Sequence, residues 1–471
     1  MNFGGIPEID KEAETAAKGR WDALAKPVGS LGELERLVIR MAGIRGTADL
    51  RAGRRAIAVF CADNGVTAEG VCGSDPALTA VIAANIAAGR GNVSAMAKAA
   101  RCEVVCVDVG MFGQAANENV SSAGAASAEE TSPDRLRKEA EEKAGIPEAE
   151  TSPDRLRKEA EISLTRIWAE KAGIPGGGVS ALGLVRRAVR RGTRNFAKEP
   201  AMTPDEACAA LSAGESMAKA LADGGAELLL AGEAGIGNTT TSAAVAAALL
   251  GLPADAVVGR GAGLDDEGLA RKTRVIDEAL KQYGLCPEEA PSVPVPNRAA
   301  PERFAEQNKA AEGKPGIKRR FSAFRGAAGS GQEPDPGRAY AFRALCCVGG
   351  FDLAAMAGFY IGCAKRRVPA ILDGAISAAA ALLAERLAPG TRSFLLASHQ
   401  SREPMAGYLL GELGLTPILR ADLALGEGTG ALCLLPLIDL ALAAYHNAAT
   451  FAESGLLVHE EDGSAEYRIR S

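Results

Sequence analysis

Short apolar runs alternate along the chain with alanine-rich stretches of helical period, the pattern of parallel strands joined by helical crossovers. The runs that read as buried strands are Ala56-Ile57-Ala58-Val59-Phe60, Val104-Val105-Cys106-Val107, Glu227-Leu228-Leu229-Leu230, Ala370-Ile371-Leu372 and Ser393-Phe394-Leu395-Leu396. Most end in glycine or a polar residue. In one parallel sheet, Asp63-Asn64-Gly65, Asp108-Val109-Gly110, Gly232-Glu233, Asp373-Gly374 and Ser398-His399 would meet at the carboxyl edge, where open α/β sheets bind ligands. That edge is the expected site.

Two segments interrupt the alternation. Residues 117–178 are polar and carry a near-tandem duplication, the twelve-residue phrase that begins at Glu130 recurring at Glu150. Each copy has a helix start, with Ser132 or Ser152 as cap and proline in the first turn, but offers little beyond one leucine for burial. Two copies are too few for a solenoid, so a solvated insert is expected. Residues 285–337 hold eight of the chain's 23 prolines and read as a linker, with Lys318-Arg319-Arg320 as a solvated basic cluster.

Three glycine-rich segments carry candidate chemistry. In residues 229–242 a strand runs through Gly232-Glu233-Ala234-Gly235-Ile236-Gly237-Asn238-Thr239-Thr240 into an alanine helix. Free amides at such a terminus, with the positive end of the helix dipole, suit a phosphate, and a plain capped turn is the competing reading. The lysine of a nucleoside-triphosphate loop and the spacing of a dinucleotide loop are both missing. Residues 259–268 surround Gly261 with glycines and precede Lys272; Arg260 and Lys272 offer charge to an anion or merely flank a loop. Residues 425–431 place Glu427 among three glycines before an apolar helix, where it either caps the helix or, if partly buried, gains the proton affinity of a general base.

Composition narrows the classes. The 471 residues exceed one ordinary core, so two or three folding units are expected. With 47% hydrophobic and 24% charged residues the chain can build sizeable cores. Aromatics at 4% and a net charge of -6 argue against a nucleic-acid partner. The start lacks a basic segment leading into an apolar run, and the stretch from Ala431, broken by Pro436 and Asp439, reads as a buried helix rather than a membrane span. A cytoplasmic protein with ten reduced, mostly core thiols is the expectation, and three histidines leave no histidine-rich metal site.

Lys26-Pro27-Val28-Gly29-Ser30-Leu31-Gly32-Glu33-Leu34-Glu35, Asp63-Asn64-Gly65-Val66, Gly192-Thr193-Arg194-Asn195-Phe196, the Gly232 to Thr240 turn and the segment from Gly259 to Lys272 occur in that order. Val348-Gly349-Gly350-Phe351, Val368-Pro369-Ala370-Ile371-Leu372-Asp373-Gly374, Ser398-His399-Gln400-Ser401-Arg402-Glu403 and the segment from Leu425 to Ala431 follow. This series resembles the nicotinate-nucleotide:dimethylbenzimidazole phosphoribosyltransferases of cobalamin lower-ligand assembly, over nearly the whole chain outside the two inserts.

The resemblance implies a homodimeric enzyme with a Rossmann-like parallel sheet flanked by helices and a smaller helical domain from both termini. Residues 1–53 and 421–471 would form the small domain, and residues 54–420 the large one. It implies transfer of ribose 5-phosphate from nicotinate mononucleotide to 5,6-dimethylbenzimidazole, with no cofactor or metal. By position Glu427 matches the general base, and Glu233 and Lys272 match charged residues of the substrate site. Gly235, Gly237, Asn238, Thr239, Gly261 and Ser401 fall in its substrate-binding motifs. Ser74 lies near the benzimidazole contact, although Cys72-Gly73-Ser74-Asp75-Pro76 departs from the usual pattern there, as do Ala234, Ala262 and Pro404-Met405-Ala406 elsewhere. The same fold acting on another base, such as adenine or a phenolic compound, or binding nucleotide without turnover, are the alternatives; Glu427 being in place argues for turnover.

Overall fold

A computed structural model describes residues 4–113, 183–286, 335–454, 456–461 and 464–469. The duplicated segment 117–178, with the two helix starts expected there, and the basic cluster 318–320 lie outside these residues. Six parallel strands form the main sheet: β1 Arg55–Ala62, β2 Glu103–Gly110, β3 Val185–Arg186, β4 Leu228–Ala234, β5 Ala370–Leu372 and β6 Leu395–Ala397. Their spatial order is β3-β2-β1-β4-β5-β6. All five expected strands are present, and the sheet is parallel as the alternating pattern requires. The unexpected member, β3, is a two-residue edge strand pairing Val185 with Val107.

Every position of β1 is buried, because both faces of a parallel sheet are covered. Ala56, Ala58, Phe60 and Ala62 face one core; Ile57, Val59 and Cys61 face the other. The first core is built by α5 Pro204–Asp223, α6 Asn238–Leu250, α7 Asp266–Gln282, α8 Pro336–Val348, α9 Phe351–Lys365, α10 Ala375–Leu387 and α11 Met405–Leu413. The second takes α1 Lys11–Ala23, α2 Glu33–Arg45, α3 Leu78–Ala87, α4 Asn92–Ala99 and α12 Thr429–Asn447.

The two chain ends meet in this second core. Trp21 of α1 packs on Tyr445 of α12 with ring centroids 5.2 Å apart, and Arg20 donates to the carbonyls of Tyr445 and His446. The helices from both termini share one apolar layer with the sheet residues Ile57, Val59 and Leu230. Helix α12 is long and apolar enough to cross a membrane, yet 56% of its most apolar window is buried against the protein. The last segment is strand rather than helix: β7 Leu456–Glu461 pairs antiparallel with β8 Ser464–Ile469. An Asp-Gly pair at 462–463, a two-residue hairpin sequence, was the available signal.

The proline-rich stretch is narrower than its composition suggests. Leu285 is fully buried in the first core, and Asp335 caps α8 through the Arg338 amide, with Pro336 in its first turn. The cysteines Cys61, Cys102, Cys106, Cys346, Cys347 and Cys363 are buried free thiols.

Small residues let α5 and α9 cross closely. A Cβ added at Gly214 would sit 1.7 Å from the Ala355 carbonyl oxygen, and one at Gly358 would sit 1.9 Å from that of Leu211. Gly358→Ala is therefore expected to force the helices apart and to cost about 3 kcal/mol, read as a lower urea midpoint; an unchanged midpoint would show that the crossing has slack.

Candidate active site

The carboxyl edge of the sheet is a layer of buried polar side chains. Asp63, at the end of β1, accepts from the Phe112 amide at 2.7 Å, and the Thr79 hydroxyl lies close enough to lower its proton affinity. The Thr79 hydroxyl in turn accepts from the Ile236 amide at 3.1 Å. Asn64 donates to the Ile236 carbonyl at 3.3 Å, and the side chains of Asn64 and Thr67 crowd Gly237, whose φ of +90° makes the turn into α6. The strand-turn-helix from β4 to α6 is thus clamped from one side by the segment that follows β1.

Thr193, Arg194 and Asn195 support that segment. The Thr193 hydroxyl accepts from the Gly65 amide at 3.0 Å, and Asn195 donates to Glu69 at 2.6 Å. Arg194 makes a two-point contact with Glu206, the residue that completes the capping box of α5 with Thr203.

Glu427 arrives from the other side. Gly426, Glu427 and Gly428 have φ of 82°, 60° and 87°, three successive left-handed residues. This loop lies directly on the end of β4: a Cβ at Gly232 would sit 2.3 Å from the Glu427 carbonyl oxygen, so only glycine fits there. The Glu427 amide donates to the Glu233 carbonyl at 3.2 Å. Its half-buried carboxyl accepts from the Val93 amide, in the first turn of α4, at 3.4 Å. Burial raises its proton affinity and the charge of Asp373 adds to this, while the Val93 amide opposes both.

Glu233 itself is 7% exposed and hydrogen-bonded by the Asn238 side-chain amide. Burial, together with the charges of Asp352, Asp373 and Glu427, raises its proton affinity well above the carboxylate range. Asp352, at the start of α9, is pushed up to about 6, first by burial.

A second cluster flanks the N-terminus of α6. Lys272 is fully buried and donates to the Thr239 hydroxyl and the Gly259 carbonyl, each at 3.0 Å. Gly261, with φ of 52°, lies against the Thr239 side chain. The Cys72 thiol donates to the Ser74 carbonyl at 3.5 Å, and neighbouring Gly73 faces the Ala262 carbonyl, which puts the Ser74 loop over the Gly261 loop. Arg260, by contrast, turns to the exposed side and is spent on the Leu264 carbonyl and Asp266.

Glu233, Asn238 and Glu427 are directly linked, as are Thr239, Lys272 and Gly261, with Gly235 and Gly237 between the two groups. The Asn238 backbone amide closes the turn on the Gly235 carbonyl at 3.1 Å and the Ile236 amide is taken by the Thr79 hydroxyl, so these two are already engaged. Ser401 stands apart, beside Gly374 at the end of β5, and accepts from the Glu403 amide at 3.4 Å. Sequence reasoning placed Asp373 and His399 at this edge but gave them no role. The Asp373 carboxylate accepts from the amides of Gly428, Gly430 and Ala431 at 3.1, 2.7 and 3.1 Å, and the His399 ring packs on Gly430. The signal available was only an apolar strand ending in Asp-Gly.

A family profile described as phosphoribosyltransferase matches residues 6–295 and 313–456. The chain is 35% identical over 450 residues to the nicotinate-nucleotide--dimethylbenzimidazole phosphoribosyltransferase of Thermus thermophilus, covering 95% of this chain and 99% of that one. It is 34% identical over 466 residues to the protein of the same name from Mycobacterium marinum, covering 99% of this chain and 98% of the other. The crystal structure of CobT from Thermus thermophilus superimposes with a TM-score of 0.66 at 34% identity, over 94% of this chain and 98% of that one.

Burial gives Lys272 a measurable signature. The fold lowers its proton affinity from the ordinary 10.5 to about 8, so between those values the unfolded chain binds more protons and native stability gains as pH rises. Below pH 8 the cost of burying the charge is fully present. The stability of the native chain minus that of Lys272→Met is therefore expected to rise from pH 8 to 10.5; urea melts across this range giving a flat difference would mean that the ammonium is solvated.

Proposed function

The chain belongs to this phosphoribosyltransferase family, and from that premise we propose that it transfers ribose 5-phosphate from nicotinate mononucleotide to 5,6-dimethylbenzimidazole, yielding α-ribazole 5'-phosphate and nicotinate for the cobalamin nucleotide loop. The observation that carries the proposal is the half-buried carboxyl of Glu427, borne by a loop whose backbone is seated on the end of β4 beside Glu233, with Gly426 and Gly428 as its immediate neighbours.

The chemistry asks little else of the protein. The nicotinate ring of the mononucleotide is a pyridinium, so cleavage of its bond to the sugar releases a neutral nitrogen without general acid. A benzimidazole nitrogen then adds to the opposite face of an oxocarbenium-like centre, which inverts the anomeric carbon from β to α. As that bond forms, the other ring N–H becomes acidic, and Glu427 takes the proton. The raised proton affinity of this carboxyl brings it closer to the working pH, which strengthens it as a base.

The 5'-phosphate is a handle. The turn amides around Gly235 and Gly237, the Thr239 hydroxyl and the Lys272 ammonium supply donors and positive charge at the N-terminus of α6. Glu233 and Asn238 hold the floor between phosphate and base. Ser74 and Ser401 belong to the walls, and base choice depends on the loop that carries Ser74. The same reading makes the enzyme a cytoplasmic homodimer.

Glu427→Gln removes the proton acceptor while keeping shape. It is expected to lower kcat by about 10²–10⁴-fold with nicotinate mononucleotide binding retained, measured by nicotinate release and by calorimetric titration of the nucleotide. Turnover at the native rate would sink the assignment of the base. A panel of benzimidazole, adenine and phenolic acceptors in the same assay separates the lower-ligand specificities.

A further inference from the structure

The geometry assigns Asp373 a positioning role: its carboxylate accepts from the amides of Gly428, Gly430 and Ala431, pins the end of the Gly426-Glu427-Gly428 loop to the first turn of α12 and thereby sets where the Glu427 carboxyl stands. This inference rests on Glu427 being the general base.

The loop needs such a clamp. Three successive residues with positive φ include one with a side chain, Glu427 at 60°, a conformation that L-residues adopt only when their surroundings impose it. One Asp373 oxygen accepts from Gly428 at 3.1 Å; the other accepts from Gly430 at 2.7 Å and Ala431 at 3.1 Å. These amides sit at the start of the 19-residue helix α12, whose dipole favours a negative charge in that place. Thr429 closes the loop from within, its hydroxyl donating to the Gly426 carbonyl at 2.8 Å. Asp373 is 6% exposed and both oxygens are engaged, so it is suited to hold the loop and not to meet substrate.

Charge couples the two carboxyls. Glu427 is faced by Asp373 from the end of β5, by Glu233 from the end of β4 and by the Val93 amide from α4. His399, at the end of β6, and Cys433, on α12, face Asp373. The negative charge of Asp373 raises the proton affinity of Glu427, and its removal therefore lowers it.

The test is the kinetics of Asp373→Asn, which loses the charge and turns an amide group toward backbone N–H donors. The expected result is a fall in kcat on the order of 10²-fold from misplacement of the base, a KM for nicotinate mononucleotide close to native, and an acid limb of the kcat profile moved to lower pH. Thr429→Val, which keeps shape and charge, is expected to lower kcat by a smaller factor with the acid limb unmoved. Native kcat and an unmoved acid limb in Asp373→Asn overturn the role. Should that variant not fold, Asp373→Glu decides: it keeps the charge but displaces the oxygens from the three amides, so a fall in kcat at native KM upholds the role and native kcat overturns it. An active Glu427→Gln instead removes the base itself, whereas an inactive Glu427→Gln beside a normal Asp373→Asn removes only the role given to Asp373.

Discussion

The site depends on one close approach of backbone to backbone: the Gly426-Glu427-Gly428 loop seated on Gly232 at the end of β4. Residues nearly two hundred positions apart are brought together with no side chain between them, since a Cβ at Gly232 would collide with the Glu427 carbonyl and one at Gly428 would lie 2.2 Å from Ile57. Direct backbone contact fixes the height of the Glu427 carboxyl above the sheet more tightly than side-chain packing could, because the hydrogen bond from its amide to the Glu233 carbonyl leaves the loop little freedom.

That contact concentrates acids. Asp63, Glu233, Asp352 and Asp373 all lie within the buried edge, and burial is the first cause of the raised proton affinity of each. Their charge is met mainly by dipoles: amides of Phe112, Leu353, Gly428, Gly430 and Ala431, and the side chain of Asn238. Fixed dipoles of this kind are already oriented before substrate arrives. A carboxyl held by amides at short range stays in place, whereas the Glu427 carboxyl has among the described residues a single 3.4 Å amide contact, which suits the role of base proposed for it.

The sheet was readable because parallel strands covered on both faces appear as unbroken apolar runs, and β1, β2, β4, β5 and β6 all have that form. Their polar ends meet at the carboxyl edge of that sheet. A two-residue edge strand such as β3 has no period to detect, and the hairpin β7–β8 was read as part of a helical terminus despite its Asp-Gly pair. The glycine-rich turns pointed to anion chemistry on local grounds, but the pairing of Lys272 with Thr239, 33 positions away, and of Asp373 with Gly430, 57 positions away, are products of topology. Arg260 shows the converse: of two cations that the sequence offers alike to an anion, Arg260 in the glycine-rich segment is exposed and Lys272 on the helix after it is fully buried.

The scarcity of aromatic residues follows from the same architecture. Helices α5 and α9 cross over Gly214 and Gly358, and α6, rich in alanine and other small residues, is buried along nearly its whole length, so the helices lie close to the sheet and to one another. Tight packing of small side chains leaves few voids into which the edge could relax. The proposed chemistry asks for a rigid scaffold, since a phosphate bound at the start of α6 would be useful only if the distance from that helix to Glu427 is fixed. The backbone seat on Gly232 supplies one end of that distance. The clamp of Gly237 against Asn64 and Thr67 supplies the other.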